Sequence, residues 1–191
     1  MTDIDNKLEI LYDLMVDNYG TLTAELNLLI SNPPVIKNTH KFSLLLAGLK
    51  DSVFIDPLLK KISLADRNDK WLLDFIYAAT SLLDECSSND TFKCPNNLVE
   101  KLEEWILKGS GTLAWYATDL LKFNESKSAE NIQLKKLEQR GDFFLTYVEC
   151  ISGLLRIDND RHIELVRQIA ADETRDEKLR EYCNNLIKEQ I

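Results

Sequence analysis

Three observations predict an all-α chain built from stacked helix pairs. Apolar residues recur at helical spacing through most of the 191 residues, and short turns rich in Gly, Pro, Asn or Asp interrupt them. Two series of apolar anchors also repeat along the chain. In the first helix of each pair the anchors are Leu59/Ile62, Val99/Leu102, Leu134/Leu137 and Val166/Ile169. In the second helices Trp71, Leu113, Phe144 and Leu179 each precede an apolar residue four positions on: Phe75, Ala117, Val148 and Cys183. Successive anchors lie about 30 to 42 residues apart, the range of paired-helix repeats.

Taken in order, Ile4, Leu8, Leu11, Tyr12 and Met15 predict a first helix that ends at Asn18-Tyr19-Gly20. Leu22, Leu26, Leu29 and Ile30 predict a second, stopped by Asn32-Pro33-Pro34 because a residue before proline is pushed out of the helical region. Residues 1–36 thus read as a capping helix pair. From His40 to Lys50 a compact helix carries Phe42, Leu44, Leu45, Leu46 and Leu49, and its Gly48 predicts a close-packed neighbour. Phe54, Ile55, Leu58, Leu59 and Ile62 share the next stripe, with Pro57 in the first turn, where an amide hydrogen is dispensable. After Ala65-Asp66-Arg67-Asn68-Asp69, Trp71 to Leu83 present a wide apolar face that neighbouring helices must cover.

The polar run Cys86-Ser87-Ser88-Asn89-Asp90 is the longest break in the pattern. Beyond it Pro95–Lys108 predicts a helix, Gly109-Ser110-Gly111 a turn, and the partner helix ends near Phe123. The next pair is Ser128–Gln139 and Asp142–Ile157, turning at Arg140-Gly141, and the last is Arg161–Ala171 and Thr174–Glu189. No pair can bury its apolar faces alone, so stacking must supply a continuous core.

Composition bounds the function. A chain that is 45% hydrophobic, with six Gly, four Pro and 29% charged residues, predicts a single ordered domain. No apolar run reaches membrane-spanning length and MTDIDNKLEI is acidic, which predicts a cytoplasmic protein. Cys86, Cys94, Cys150 and Cys183 are expected to be free thiols. A net charge of −9, with acid concentrated in residues 1–36, 66–108 and 141–191, argues against nucleic acid or anionic membrane and for a basic protein partner.

Catalytic constellations are not evident. His40 and His162 belong to no spaced ligand set, and the separation of Cys86 from Cys94 is unlike that of a structural zinc site, so no metal or cofactor is expected. Cys150 and His162 could suggest a nucleophile and base, but Cys150 falls in an apolar mid-helix context. Gly109-Ser110-Gly111 lacks the Lys-Ser/Thr of a phosphate loop. Glu100, Glu103 and Glu104 read as an exposed charged face.

The stretch Leu46–Glu85 is similar to the HEAT-like repeat family, whose units have a Leu-Leu-rich first helix, a short Asp-containing turn and a second helix with small residues packed inward. The resemblance implies a right-handed α-solenoid of about four to five helix pairs, with residues 37–191 forming the repeats. An irregular helical bundle is the rival architecture. Deoxyhypusine hydroxylases of this build carry His-Glu pairs, whereas here Lys41 follows His40 and Ile163 follows His162. DNA glycosylases of similar build need a basic concave face; Trp115 and Tyr116 could imitate their stacking aromatics, but the acidity opposes that reading.

Second helices line the concave side of such repeats, so their non-core residues are the candidates for partner binding: Asp74, Tyr77, Trp115, Asp119, Glu149 and Glu181. Rings supply anchor area, and carboxylates steer a basic partner. In size, acidity, lack of a leader and lack of a catalytic set the chain resembles helical-repeat immunity proteins of bacterial contact-dependent growth inhibition systems. That resemblance implies a monomer that neutralises a toxin domain such as a basic nuclease. A HEAT-like scaffold or adaptor is the alternative, and an enzyme of this build a third reading.

Overall fold

The computed structural model describes residues 3–33, 39–86 and 94–189, with side chains from Val16 onward except Asn96. All the regular structure among these residues is helical. The chain divides into two compact units, Met1–Lys37 and Asn38–Ile191. The polar run after Cys86 lies outside the described residues.

The first unit holds one helix, α1 (Asp3–Ser31), where two were expected. Gly20 lies inside it and is exposed, with nothing near the position a Cβ would take. A lone glycine costs a helix about 1 kcal/mol against alanine but removes no hydrogen bond, so it weakens the helix without stopping it. The Asn32 amide still donates to the Leu28 carbonyl at 2.9 Å, and Pro33 follows.

The second unit runs α2 (His40–Leu49), a 3-10 turn (Ser52–Phe54), α3 (Ile55–Leu64), α4 (Leu72–Cys86), α5 (Asn96–Leu107), α6 (Gly111–Leu121), α7 (Lys127–Glu138), α8 (Phe144–Ile157), α9 (Asn159–Ala171) and α10 (Glu177–Glu189). Pro57 is the third residue of α3 and Pro95 precedes α5, so neither removes a bond the helix needs. Asp turns introduce second helices: Asp69 accepts from the Trp71 amide, Asp142 from Phe143 and Asp176 from Lys178. Such turns bring each helix back along its predecessor, and α3 packs on α4, α5 on α6, α7 on α8 and α9 on α10.

Between pairs, α2, α4, α6, α8 and α10 are consecutive neighbours, as are α3, α5 and α7, while α9 also packs on α8. Both residues of the Leu59/Ile62, Trp71/Phe75, Val166/Ile169 and Leu179/Cys183 anchors are buried. In each of the other four anchor pairs at least one member stays partly exposed. Leu137, Tyr147, Cys150, Ile151, Leu154, Val166, Ile169, Leu179 and Cys183 form one apolar cluster across α7 to α10.

A recurring contact fastens each first helix to the pair after it. Lys101 Nζ donates to the Ala65 carbonyl beyond α3 at 2.6 Å, Gln139 Nε2 to the Leu107 carbonyl ending α5 at 3.2 Å, and Arg175 Nη2 to the Leu137 carbonyl near the end of α7. These carbonyls lack intrahelical donors and sit at the negative end of the helix dipole, so a donor from the next repeat satisfies both needs. Substituting Lys101 by Met is expected to cost about 1 kcal/mol in chemical denaturation.

Gly48 has no neighbour within 4 Å of where a Cβ would stand, so the expected close approach is not there. It occurs at Gly153 of α8, where a Cβ would lie 2.4 Å from Gln133 Nε2 of α7. The glycine lets that buried side chain rest on the α8 backbone.

A buried ion pair ties three elements together. Lys136 Nζ meets Asp142 Oδ2 at 2.6 Å, with side chains 2% and 7% exposed. Asp142 Oδ1 also accepts from the Gly111 amide of the preceding pair at 2.9 Å, and the Asp142 amide donates to Tyr147 Oη at 3.1 Å. Burial by itself would raise the Asp142 pKa, but the Lys136 ammonium and the Gly111 and Phe143 amides more than offset it and hold the pKa below the ordinary value. A second buried carboxylate, Glu130, accepts from Lys127 at 2.9 Å and from Arg161, with His162 Nε2 at 3.2 Å. The Lys127 hydrogen bond leads in holding its pKa low.

Candidate partner-binding surface

Second helices in this unit expose one edge each, and the residues there are fixed by the packing of the opposite edge. On α4 the buried stripe Leu72, Phe75, Ile76, Ala79 and Leu83 leaves Asp74, Tyr77 and Asp84 outward. On α6, burial of Ala114, Ala117, Thr118 and Leu121 leaves Trp115, Tyr116, Asp119 and Lys122 partly exposed. Glu149 on α8 and Tyr182 on α10 extend the series.

Asp74 is held at the α2 end of the row. Thr39 Oγ1 donates to its Oδ2, and His40 Nδ1 lies 3.2 Å from its Oδ1. The His40 ring tilts against Tyr77 at 5.5 Å between centroids. Tyr116 joins this end to α6: burial is the first cause of its raised pKa, and the Asp74 and Asp119 carboxylates follow. Trp115 meets Tyr116 edge-on at 5.0 Å and the exposed Phe143 at 5.7 Å.

The centre of the row is Lys122. Its ammonium reaches Asp119 Oδ1 at 2.6 Å and Glu149 Oε2 at 3.1 Å while only 13% of the side chain is exposed. Phe123 lies under Lys122 at 5.1 Å and under Arg156 at 5.0 Å. Burial works against the Lys122 charge, yet the hydrogen bond to Asp119 and the fields of Asp119, Glu149 and Asp84 raise its pKa overall.

Glu149 and Asp84 respond in the opposite sense to the structural carboxylates. Burial raises the Glu149 pKa, Asp119 adds to it, and Lys122 and Trp115 only partly offset them. Burial likewise raises Asp84, against Lys122 and Arg156 and with Asp119 and Glu85. Asp142, Glu130 and Asp172 are all lowered. Lowered carboxylates help hold the fold, whereas ionised Glu149 and Asp84 cost it stability.

Ionisation of Glu149 makes the stability of the fold depend on pH. Its folded pKa lies above 4.5, so the cost is present in full above that raised value and disappears as pH falls through it. Replacing Glu149 by Gln is therefore expected to leave the melting temperature at neutral pH unchanged or raise it. The difference from the parent protein should vanish in acid, which a series of melts against pH reads directly.

Five of the six residues expected from the sequence, Asp74, Tyr77, Trp115, Asp119 and Glu149, lie in this network. Asp119 and Glu149 meet on Lys122, Trp115 stands beside Glu149, and Asp74 and Tyr77 both meet His40 while their fields reach Tyr116. Glu181 is exposed on α10, and none of the described ion pairs includes it. Its neighbour Tyr182 takes the inner position, with burial first and Glu149 next in raising its pKa. One residue is about 100° of helical rotation, enough to exchange an outward side chain for an inward one.

The apolar pattern of the sequence does not single out Lys122, Asp84, Tyr182 or Arg156. The spacing of Asp119 and Lys122 on one helix was a readable signal for the first of them. Nucleophile chemistry is disfavoured at Cys150 and Cys183: burial pushes both thiols up, Cys183 to about 11. His162 engages Glu130 and Arg161 instead of a thiol. Among the described residues no group of three or more His, Cys, Asp or Glu is placed to hold a metal ion, and no helix is long and apolar enough to cross a membrane.

Comparison with known protein families, with characterised proteins and with solved structures finds no match to this chain.

Proposed function

We propose that the chain is a non-enzymatic binding protein whose second-helix edge takes a basic protein partner. The observation that carries this reading is the meeting of Asp119 and Glu149, from the second helices α6 and α8, on Lys122, with the exposed Asp84 of α4 adding its field and with Tyr116, Trp115 and Tyr182 nearby. Burial raises the pKa of Asp84 and Glu149, so the fold disfavours their ionised forms. Rings next to costly charges suit a cationic partner, whose docking would return the lost solvation as charge-assisted contacts.

Residues 38–191 are read as a right-handed α-solenoid of HEAT-like pairs. The two series of neighbouring helices and the carbonyl contacts repeated from pair to pair support this arrangement. On it the acidic, aromatic edge forms a continuous surface. The most specific form of the proposal is a bacterial immunity protein that acts in the cytoplasm and neutralises a basic toxin domain, such as a nuclease.

The test is co-purification with a cationic toxin domain encoded beside the gene. A stable complex of about nanomolar affinity that abolishes the toxin's activity is the expected result. Loss of binding without loss of folding on reversing Asp74 would support the same edge. A complex that forms but leaves the toxin active would favour the scaffold reading.

A further inference from the structure

Lys122 occupies the place where a basic partner would be most strongly attracted. It bonds carboxylates from α6 and α8 directly, the Asp84 carboxylate of α4 adds its field, and the Phe123 ring lies beneath it. A purely structural ion pair needs one carboxylate, as Lys136 and Asp142 illustrate; here one ammonium bonds two and feels the field of a third.

Resting on the binding reading above, we infer that Lys122 is a built-in counter-cation, an intramolecular competitor that a partner's cationic side chain must displace from Asp119 and Glu149. Its tether to the end of α6 gives it a high effective concentration at those oxygens. Weak or poorly matched cations therefore fail to replace it, and a partner that supplies a better-placed guanidinium, able to bridge two carboxylates in a planar fork, succeeds. Specificity then comes from competition as much as from attraction. The displaced ammonium has a short path to water because its side chain is already partly exposed.

The experiment uses the full chain and a nona-arginine peptide as probe, with binding read by calorimetry at low salt. Lys122→Gln is expected to bind the peptide roughly five- to tenfold more tightly than the parent protein, and Lys122→Arg to stay near it. Lys135→Gln makes the same change of net charge on α7, where Lys135 pairs with Glu103 at 3.2 Å, and is expected to stay within about twofold. Unchanged or weaker binding by Lys122→Gln overturns the inference, and so does equal tightening by Lys135→Gln.

If Lys122→Gln does not fold, the parent protein still decides. On titration with peptide the Lys122 Nζ resonance should move toward that of an exposed lysine, and a resonance that stays fixed at saturation refutes displacement. Asp74→Lys separates this inference from the reading beneath it. If that reversal leaves peptide binding intact, the acidic edge is not the binding surface. If it weakens binding while Lys122→Gln does not tighten it, the edge stands and the competitor role falls.

Discussion

Replacing Asp142 by alanine is expected to destabilise residues 38–191 by about 3–5 kcal/mol, because it leaves the Lys136 ammonium buried without its counter-charge. The same change removes the acceptor for the Gly111 and Phe143 amides, so it loosens the joint between successive pairs as well as the pair itself. For a domain of this size the melting temperature should fall by roughly 10 °C. The double change Lys136→Met with Asp142→Leu should recover part of the loss, since it removes both buried charges together. Acid should mimic the single change: the Asp142 contribution is present above its ordinary pKa of 3.8 and is lost as pH falls through the lower folded value. Denaturant curves for the two variants, with the parent protein followed into acid, check each point.

Reversing Asp119 and Glu149 to Lys is expected to have the largest effect on function. It turns two of the three carboxylates facing Lys122 into cations, so the centre of the row changes from net acidic to strongly basic. Association with a cationic partner should slow by about ten- to a hundredfold at low salt, and the difference should shrink as salt screens it. Circular dichroism and a thermal melt establish that the variant folds, because new repulsion with Lys122 and Arg156 will cost some stability.

The two changes separate carboxylates that hold the fold from carboxylates that face outward, a distinction the sequence did not carry. Asp142 and Glu149 both lie in or beside the same helix, α8, and differ in what surrounds them. Asp142 collects Lys136 and two amides across a turn, and nothing in the apolar stripe of α7 announces that a lysine is buried there. Glu149 shares its one nearby ammonium with two other acids on other helices.

Helix positions were more legible. The anchors at Trp71/Phe75 and Leu179/Cys183 are local patterns, and both end in the core because an apolar stripe on a helix has to be covered. Sequence pattern and structure part where the outcome depends on something other than the stripe. Gly20 reads as a stop but is carried within α1. Gly48 reads as a contact, whereas the contact is at Gly153, chosen by where α7 crosses α8. The step from Glu181 to Tyr182 is of the same kind, since a stripe fixes a face only to within one residue. Partners that lie about one repeat apart, such as Lys122 with Glu149 or Lys101 with Ala65, belong to the packing and have no local signature.

We propose that the Asp84, Asp119 and Glu149 edge receives a basic partner by electrostatic attraction. It is decided by the rate constant for association with a cationic domain encoded beside the gene, measured across ionic strength for the parent protein and the Asp119→Lys, Glu149→Lys variant. The rate for the parent protein should fall steeply with salt, and that for the variant should be slow and nearly salt-independent. Equal rates for the two proteins, or a parent rate insensitive to salt, would contradict it.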